Sequence, residues 1–214
     1  MHDTKMVLWD WNGTLLDDVM LCHHLLNTLL ERHGYAPVDD LAAYRAVFCF
    51  PISVYYQKAG FDFARDPFAE LADEYMTLYR EKSEKCTLQP HAKEMLQLLQ
   101  QHGIQQAILS ASHQDFLQEQ VAQYGILSYF DALVGTENNQ GGSKIDVGRT
   151  WFEASGINPH QTVMIGDSVH DFDVAKALGT QCILYSGGHQ PPEKLAATGA
   201  PVIQDLAELS GLLL

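Results

Sequence analysis

Short, wholly apolar runs recur along the chain at 6–9, 107–109, 132–134, 163–165 and 182–184, with a weaker one at 201–203. Runs of this length without polar alternation suit strands buried on both faces of a parallel sheet. Between most of them the apolar positions repeat at helical spacing: Met95, Leu98 and Leu99 in 90–102, Phe116, Leu117 and Val121 in 114–124, and Val147, Trp151 and Phe152 in 145–155. Strands alternating with helices predict right-handed crossovers and an open sheet between two helical layers. Ligands of such sheets bind beyond the strand C-termini.

From residue 16 to residue 85 this rhythm stops, and helical patterns follow one another without a buried strand between them. Leu21, Leu25, Leu26, Leu29 and Leu30 trace one apolar face that ends at Gly34, a residue suited to a left-handed helix stop. A second helix is expected over 39–47, a third opens at Pro51 and runs through Tyr55 and Tyr56 to Gly60, and Leu71, Tyr75, Leu78 and Tyr79 mark a fourth. The aromatic stripes read as core packing. The division predicted is an α/β core made of 1–15 and 86–214, with an inserted helical cap over 16–85.

Composition narrows the class. With 46% hydrophobic and 19% charged residues, the 214-residue chain can bury a core. A formal net charge of -14 with only 13 lysines and arginines argues against a broad nucleic-acid surface. Cys22, Cys49, Cys86 and Cys182 are too scattered for a zinc site or a small disulfide framework, so reduced thiols are expected. There is no signal-peptide core and no run of about 18 apolar residues, which predicts a cytoplasmic protein without membrane association.

Four pieces at the ends of these strands carry candidate chemistry. Asp10 opens Asp10-Trp11-Asn12-Gly13-Thr14, and a carboxylate at a strand end can serve as a nucleophile. Ser110 follows 107–109 and can donate to a phosphoryl oxygen or cap the next helix. Lys144 follows Gly141-Gly142-Ser143 at the start of a helix. Asp167 and Asp171 stand four residues apart just past 163–165, and hard oxygen ligands of this kind suit Mg²⁺. Asp10 and Asp167 are candidate metal ligands, while Asp171 is placed to orient a metal-bound water or to pair with Lys144.

In this order the four pieces resemble the four motifs of the haloacid dehalogenase superfamily over about residues 5–187, and the insert resembles the small helical caps of phosphoglycolate phosphatases and β-phosphoglucomutases. The resemblance implies a Rossmann-like α/β core with an inserted α-helical cap. It also implies an Mg²⁺-dependent phosphatase that acts on a small phosphorylated metabolite through an aspartyl phosphate. Within it, Asp10 is the nucleophile, and Asp10, Asp167 and the Asn12 main-chain carbonyl hold Mg²⁺. Thr14, Ser110 and Lys144 bind phosphate, and Asp171 supports them. Arg45 and the Phe50-Pro51-Ile52-Ser53 stretch, Ser53 above all, are candidate specificity contacts of the cap. His23, His24 and His33 are left without a role.

Position 12 departs from the pattern, because phosphatases of this superfamily carry a general acid/base aspartate there and an amide cannot exchange protons at neutral pH. Several readings stay open. One is a substrate whose leaving group needs little protonation, such as an acyl or aryl phosphate, or a proton drawn from the substrate or the cap. Another is an Asn-Gly pair that deamidates, or a substitution that traps an intermediate. A third is phosphonoacetaldehyde hydrolase-like cleavage of a carbon–phosphorus bond through a Schiff base at Lys58. The last is a phosphate-binding or regulatory protein without turnover.

Overall fold

The computed structural model describes residues 4–137 and 143–214. Gly141 and Gly142 lie outside the described residues. The core sheet is formed by β1 (Met6–Trp9), β4 (Gln105–His113), β5 (Ala132–Thr136), β6 (Thr162–Gly166), β7 (Gln181–Tyr185) and β8 (Val202–Ile203), all parallel in the order β5-β4-β1-β6-β7-β8. β1 is central and all four of its side chains are buried, as its unbroken apolar run requires. The six expected strands are therefore present, and β4 extends well past its apolar run into Ser110-Ala111-Ser112-His113.

Helices α5 (Ala92–Gln101), α6 (Gln114–Gln123), α7 (Lys144–Ser155), α8 (Val169–Leu178), α9 (Pro192–Ala196) and α10 (Leu209–Leu213) connect or follow the strands. Two apolar clusters lie on opposite sides of the sheet. Val7, Ile108, Val163 and Ile183 face α5 and α10 residues, and Leu8, Leu109, Met164 and Leu184 face α7 and α8 residues. Alternate strand residues thus serve opposite layers.

The insert contains α1 (Val19–Arg32), α2 (Leu41–Val47), α3 (Ile52–Ala59) and α4 (Phe68–Ser83). Each matches a helix expected from the apolar spacing. They share a third apolar cluster that includes Leu25, Leu29, Tyr44, Tyr56 and Leu71, to which α6 contributes Phe116. Gly34 follows α1 with φ +73°, a conformation that costs glycine nothing. At the base of the insert, β2 (Leu16–Asp17) pairs antiparallel with β3 (Thr87–Leu88). Strands of two residues carry no periodicity, so the sequence pattern had no means of revealing this ribbon.

Candidate active site

Parallel register sets the site. Trp9 pairs with Ile108 on one side and Ile165 on the other, so Asp10 emerges level with Leu109 and Gly166, one step from Ser110 and Asp167. Asp10, Ser110 and Asp167 are all buried. Lys144 joins them as the first residue of α7, whose N-cap Ser143 accepts from the Asp146 amide at 3.1 Å. Its ammonium donates to Asp10 Oδ1 and to Asp171 Oδ1, both at 2.6 Å.

The other oxygen of Asp171 is saturated by the Asp167 amide (3.2 Å), the Ser168 amide (3.0 Å) and the Ser168 hydroxyl (2.6 Å). Asp171 thus holds Lys144 and the start of α8 in place and pairs with the lysine, one of the two roles its spacing allows. Asp167 Oδ2 accepts from the His189 amide at 2.5 Å, while Oδ1 has, among the described residues, only a long 3.4 Å contact from the Thr14 hydroxyl. Thr14 was expected at the phosphate; it is fully buried under Asp167 and outside the cavity lining, because its hydroxyl is turned toward that carboxylate. Three glycines permit this crowding: a Cβ on Gly13 or Gly188 would collide with Asp167, and one on Gly166 with Asp171.

Three carboxylates gather here around a single ammonium that pairs with two of them, Asp10 and Asp171, and one oxygen of each lies within 4.8 Å of the others. Burial raises Asp10 well above the carboxylate range despite the Lys144 charge, and Asp171 and Asp167 raise it further. Burial also raises Asp167 to about 6, with Asp171 adding to the shift. Asp171 resists its burial and stays below the ordinary carboxylate value because of Lys144. An excess of hard oxygen donors with unsatisfied negative charge, and one weakly engaged oxygen on Asp167, fits a small divalent cation such as Mg²⁺.

Beside this cluster stands a second one that the sequence pattern did not reveal. Asp18 accepts from Tyr79 OH (2.6 Å), Asn12 Nδ2 (2.8 Å) and the Gly13 amide (2.9 Å), and His189 Nε2 lies 3.2 Å away. These partners hold Asp18 below its ordinary pKa despite full burial. His189 Nδ1 lies 2.8 Å from Tyr44 OH and its ring stacks on Phe48 at 4.7 Å, so this histidine joins core to insert. The Gly187-Gly188-His189 run after a buried strand was the one local signal that could have pointed to it. Asn12 is fully engaged, with Ser112 Oγ donating to its Oδ1 at 3.0 Å.

The insert covers the strand ends and encloses a cavity of about 190 Å³ that reaches from Asp10 and Lys144 into the helices. Part of the aromatic stripes lines it, including Tyr55, Tyr56 and Tyr75, in addition to packing the insert. Arg45 lies outside that lining and donates instead to the carbonyls of Gly188 (2.9 Å) and Gly187 (3.0 Å). Phe50 and Ile52 line the cavity, whereas Ser53 does not. Lys58 is exposed on α3 and is also outside the lining. His23 is spent on the Val38 carbonyl and Asn27, and His33 on Asp66 and Glu74.

The family model of the haloacid dehalogenase-like hydrolases matches residues 7–185, the span that contains Asp10, Ser110, Lys144, Asp167 and Asp171. The chain belongs to the haloacid dehalogenase-like hydrolases. Among its relatives, a phosphoglycolate phosphatase of Pseudomonas savastanoi pv. phaseolicola is 28% identical over 217 residues, covering 96% of this chain and 78% of the relative. A phosphoglycolate phosphatase of Vibrio vulnificus is 25% identical, covering 100% and 97%. A haloacid dehalogenase-like family protein of Streptococcus pneumoniae superposes with a TM-score of 0.85 at 20% identity, covering 99% of both chains. One from Agrobacterium tumefaciens does so with 0.78 at 21%, covering 98% and 97%. These two share the hydrolase fold. No described helix is long and apolar enough to cross a membrane.

Proposed function

We propose that this hydrolase is an Mg²⁺-dependent phosphatase in which Asp10 takes the phosphoryl group of a small phosphorylated metabolite. The observation that carries this reading is the Asp10–Lys144–Asp171 chain, two buried carboxylates bridged by one ammonium at 2.6 Å on each side. Phosphatases among its relatives support it.

Asp10 Oδ1 is held by Lys144, leaving Oδ2 to attack phosphorus in line with the leaving oxygen. The P–O bond to the leaving group breaks as the bond to Asp10 forms, and water then cleaves the acyl phosphate, returning the carboxylate and inorganic phosphate. Lys144 and the Ser110 hydroxyl face the equatorial oxygens, where fixed charge is most effective in a water-poor site. Mg²⁺ held by Asp10 and Asp167 would supply further positive charge to those oxygens. Asn12 orients but transfers no proton, so the leaving oxygen departs unprotonated or takes its proton elsewhere. The inserted helices act as a cap that excludes water.

Lys58 is turned away from the cavity, which leaves a Schiff-base route without its amine. Release of inorganic phosphate from acetyl phosphate and p-nitrophenyl phosphate, with and without Mg²⁺, tests the proposal. Asp10→Asn is expected to abolish it; retained turnover in that variant rules the mechanism out.

A further inference from the structure

We infer, on the basis of the phosphatase reading, that the substrates are aryl monophosphates, with a single ring seated among the aromatic side chains of the cap. Away from Asp10 the cavity wall is built of Phe50, Tyr55, Tyr56, Phe68, Tyr75 and Met76. Lys144 is its one lysine or arginine among the described residues, and it is committed to Asp10 and Asp171. Of the lining histidines, His189 faces Asp18, His113 Nδ1 accepts from the Asp115 amide and His170 is stacked on Phe50, so a leaving group with its own carboxylate, as in phosphoglycolate, would bury a charge among aromatic rings with no lysine or arginine to pair with it, at a cost of several kcal/mol. Polyhydroxylated sugars would leave most of their hydroxyls unpaired there. A cavity of about 150 Å³ accepts one benzene ring, and about 190 Å³ is present here.

A second feature fits the same class. Asn12 cannot protonate a leaving oxygen, and a phenolate, whose conjugate acid has a pKa near 10, leaves without help far more readily than an alkoxide.

Binding is separated from leaving-group chemistry by two unreactive phosphonates competing against acetyl phosphate turnover by the Mg²⁺-loaded enzyme. Benzylphosphonate is expected to inhibit with a Ki about 10- to 100-fold below that of methylphosphonate, the range expected for burying one ring. Among substrates, phenyl phosphate is expected to exceed phosphoglycolate and glucose 6-phosphate in kcat/KM. Equal Ki values for the two phosphonates, or preference for phosphoglycolate, overturn the aryl assignment while acetyl phosphate turnover upholds the phosphatase. No turnover of acetyl phosphate or of any ester overturns both.

Discussion

The amide nitrogen of Asn12 lies 2.7 Å from the phenolic oxygen of Tyr79, and both donate to the same oxygen of buried Asp18. Position 12 is therefore a donor by necessity: a carboxylate there would face Asp18, and two like charges in one buried place cannot both ionise cheaply. Asn12→Asp alone is expected to lose about 1–3 kcal/mol at pH 8. Adding Asp18→Asn restores an amide–carboxylate pair with the roles exchanged, and should recover at least about 1 kcal/mol of coupling energy. The double variant also gains a proton-transferring group beside the phosphoryl site, with an expected rise of about 10²–10⁴ in alkyl phosphate hydrolysis. Denaturant unfolding of the four proteins, with phosphate release from an alkyl ester, measures both; strictly additive stabilities would refute the pairing.

Lys144 and Asp10 separate structural from chemical roles. Lys144→Met leaves Asp10 and Asp171 buried without their common cation, and loss of one partner from a buried ion pair costs about 3–5 kcal/mol. Asp10→Asn keeps the Lys144–Asp171 contact, so that variant should fold and melt like the wild type while turnover falls by at least about 10⁴-fold. Thermal melts beside activity assays distinguish the two. Equal stability of both variants would mean that the ammonium is not the keystone of the site.

Asp167 is expected to report the metal independently of turnover. Its folded pKa, raised to about 6, makes ionisation a cost to the fold that starts above the ordinary value of 3.8 and is complete once pH exceeds 6. Without metal at pH 8, Asp167→Asn should therefore raise stability by about 1–2 kcal/mol. With Mg²⁺ the order reverses, because a ligand of the native state stabilises by mass action, and only the wild type should gain in Tm. A wild-type melt unmoved by Mg²⁺ and by EDTA would exclude cation binding at Asp10 and Asp167.

Asp10, Ser110, Lys144 and Asp167 were legible because each abuts a local signal, a buried apolar run or a helix start, and the parallel register then brings them together. The four helices of the insert were legible for the same reason. Asp18, Tyr79 and His189 were not. Asp18 meets Tyr79 across 61 residues and His189 across 171, and no local pattern encodes a contact made only by folding. Arg45 was singled out for a different partner from the one it has, since an arginine on a helix carries no mark of the carbonyls it will find.

His33 links the end of α1 to the chain before α4 and to α4 itself, with Nδ1 2.7 Å from Asp66 and Nε2 3.0 Å from Glu74. Arg32 also faces Glu74, and Arg65 and Tyr35 face Asp66. Hydrogen bonds to Glu74 and Asp66 raise the His33 pKa, while those two carboxyls are lowered. A raised histidine stabilises fully below its unfolded pKa of about 6.5 and loses the effect as pH rises through the folded value. The lowered carboxyls contribute above about 4 and lose it in acid. The cluster should thus favour the fold most between about pH 4.5 and 6.5. Tm against pH for wild type minus His33→Gln isolates it from other histidines; a difference that grows above pH 7 would contradict the sign.

Arg45 fastens the insert to the loop that carries His189. Its guanidinium donates to the carbonyls of Gly187 and Gly188, and the next amide, that of His189, donates to Asp167 Oδ2. Two further bonds span the same seam, from Gln190 Nε2 to the Phe48 carbonyl (3.1 Å) and from Lys194 Nζ to the Ala46 carbonyl (2.5 Å). Removing the guanidinium weakens closure without touching Asp10 or Lys144. Arg45→Ala is therefore expected to raise KM about 10-fold, the effect of losing one to two charged hydrogen bonds, with a smaller change in kcat. Arg45→Lys should rescue little, since one ammonium does not reproduce two fixed N–H directions. Amide exchange at residues 186–190 should speed up in Arg45→Ala. An unchanged exchange rate with a fallen kcat would assign Arg45 to the chemistry rather than to closure.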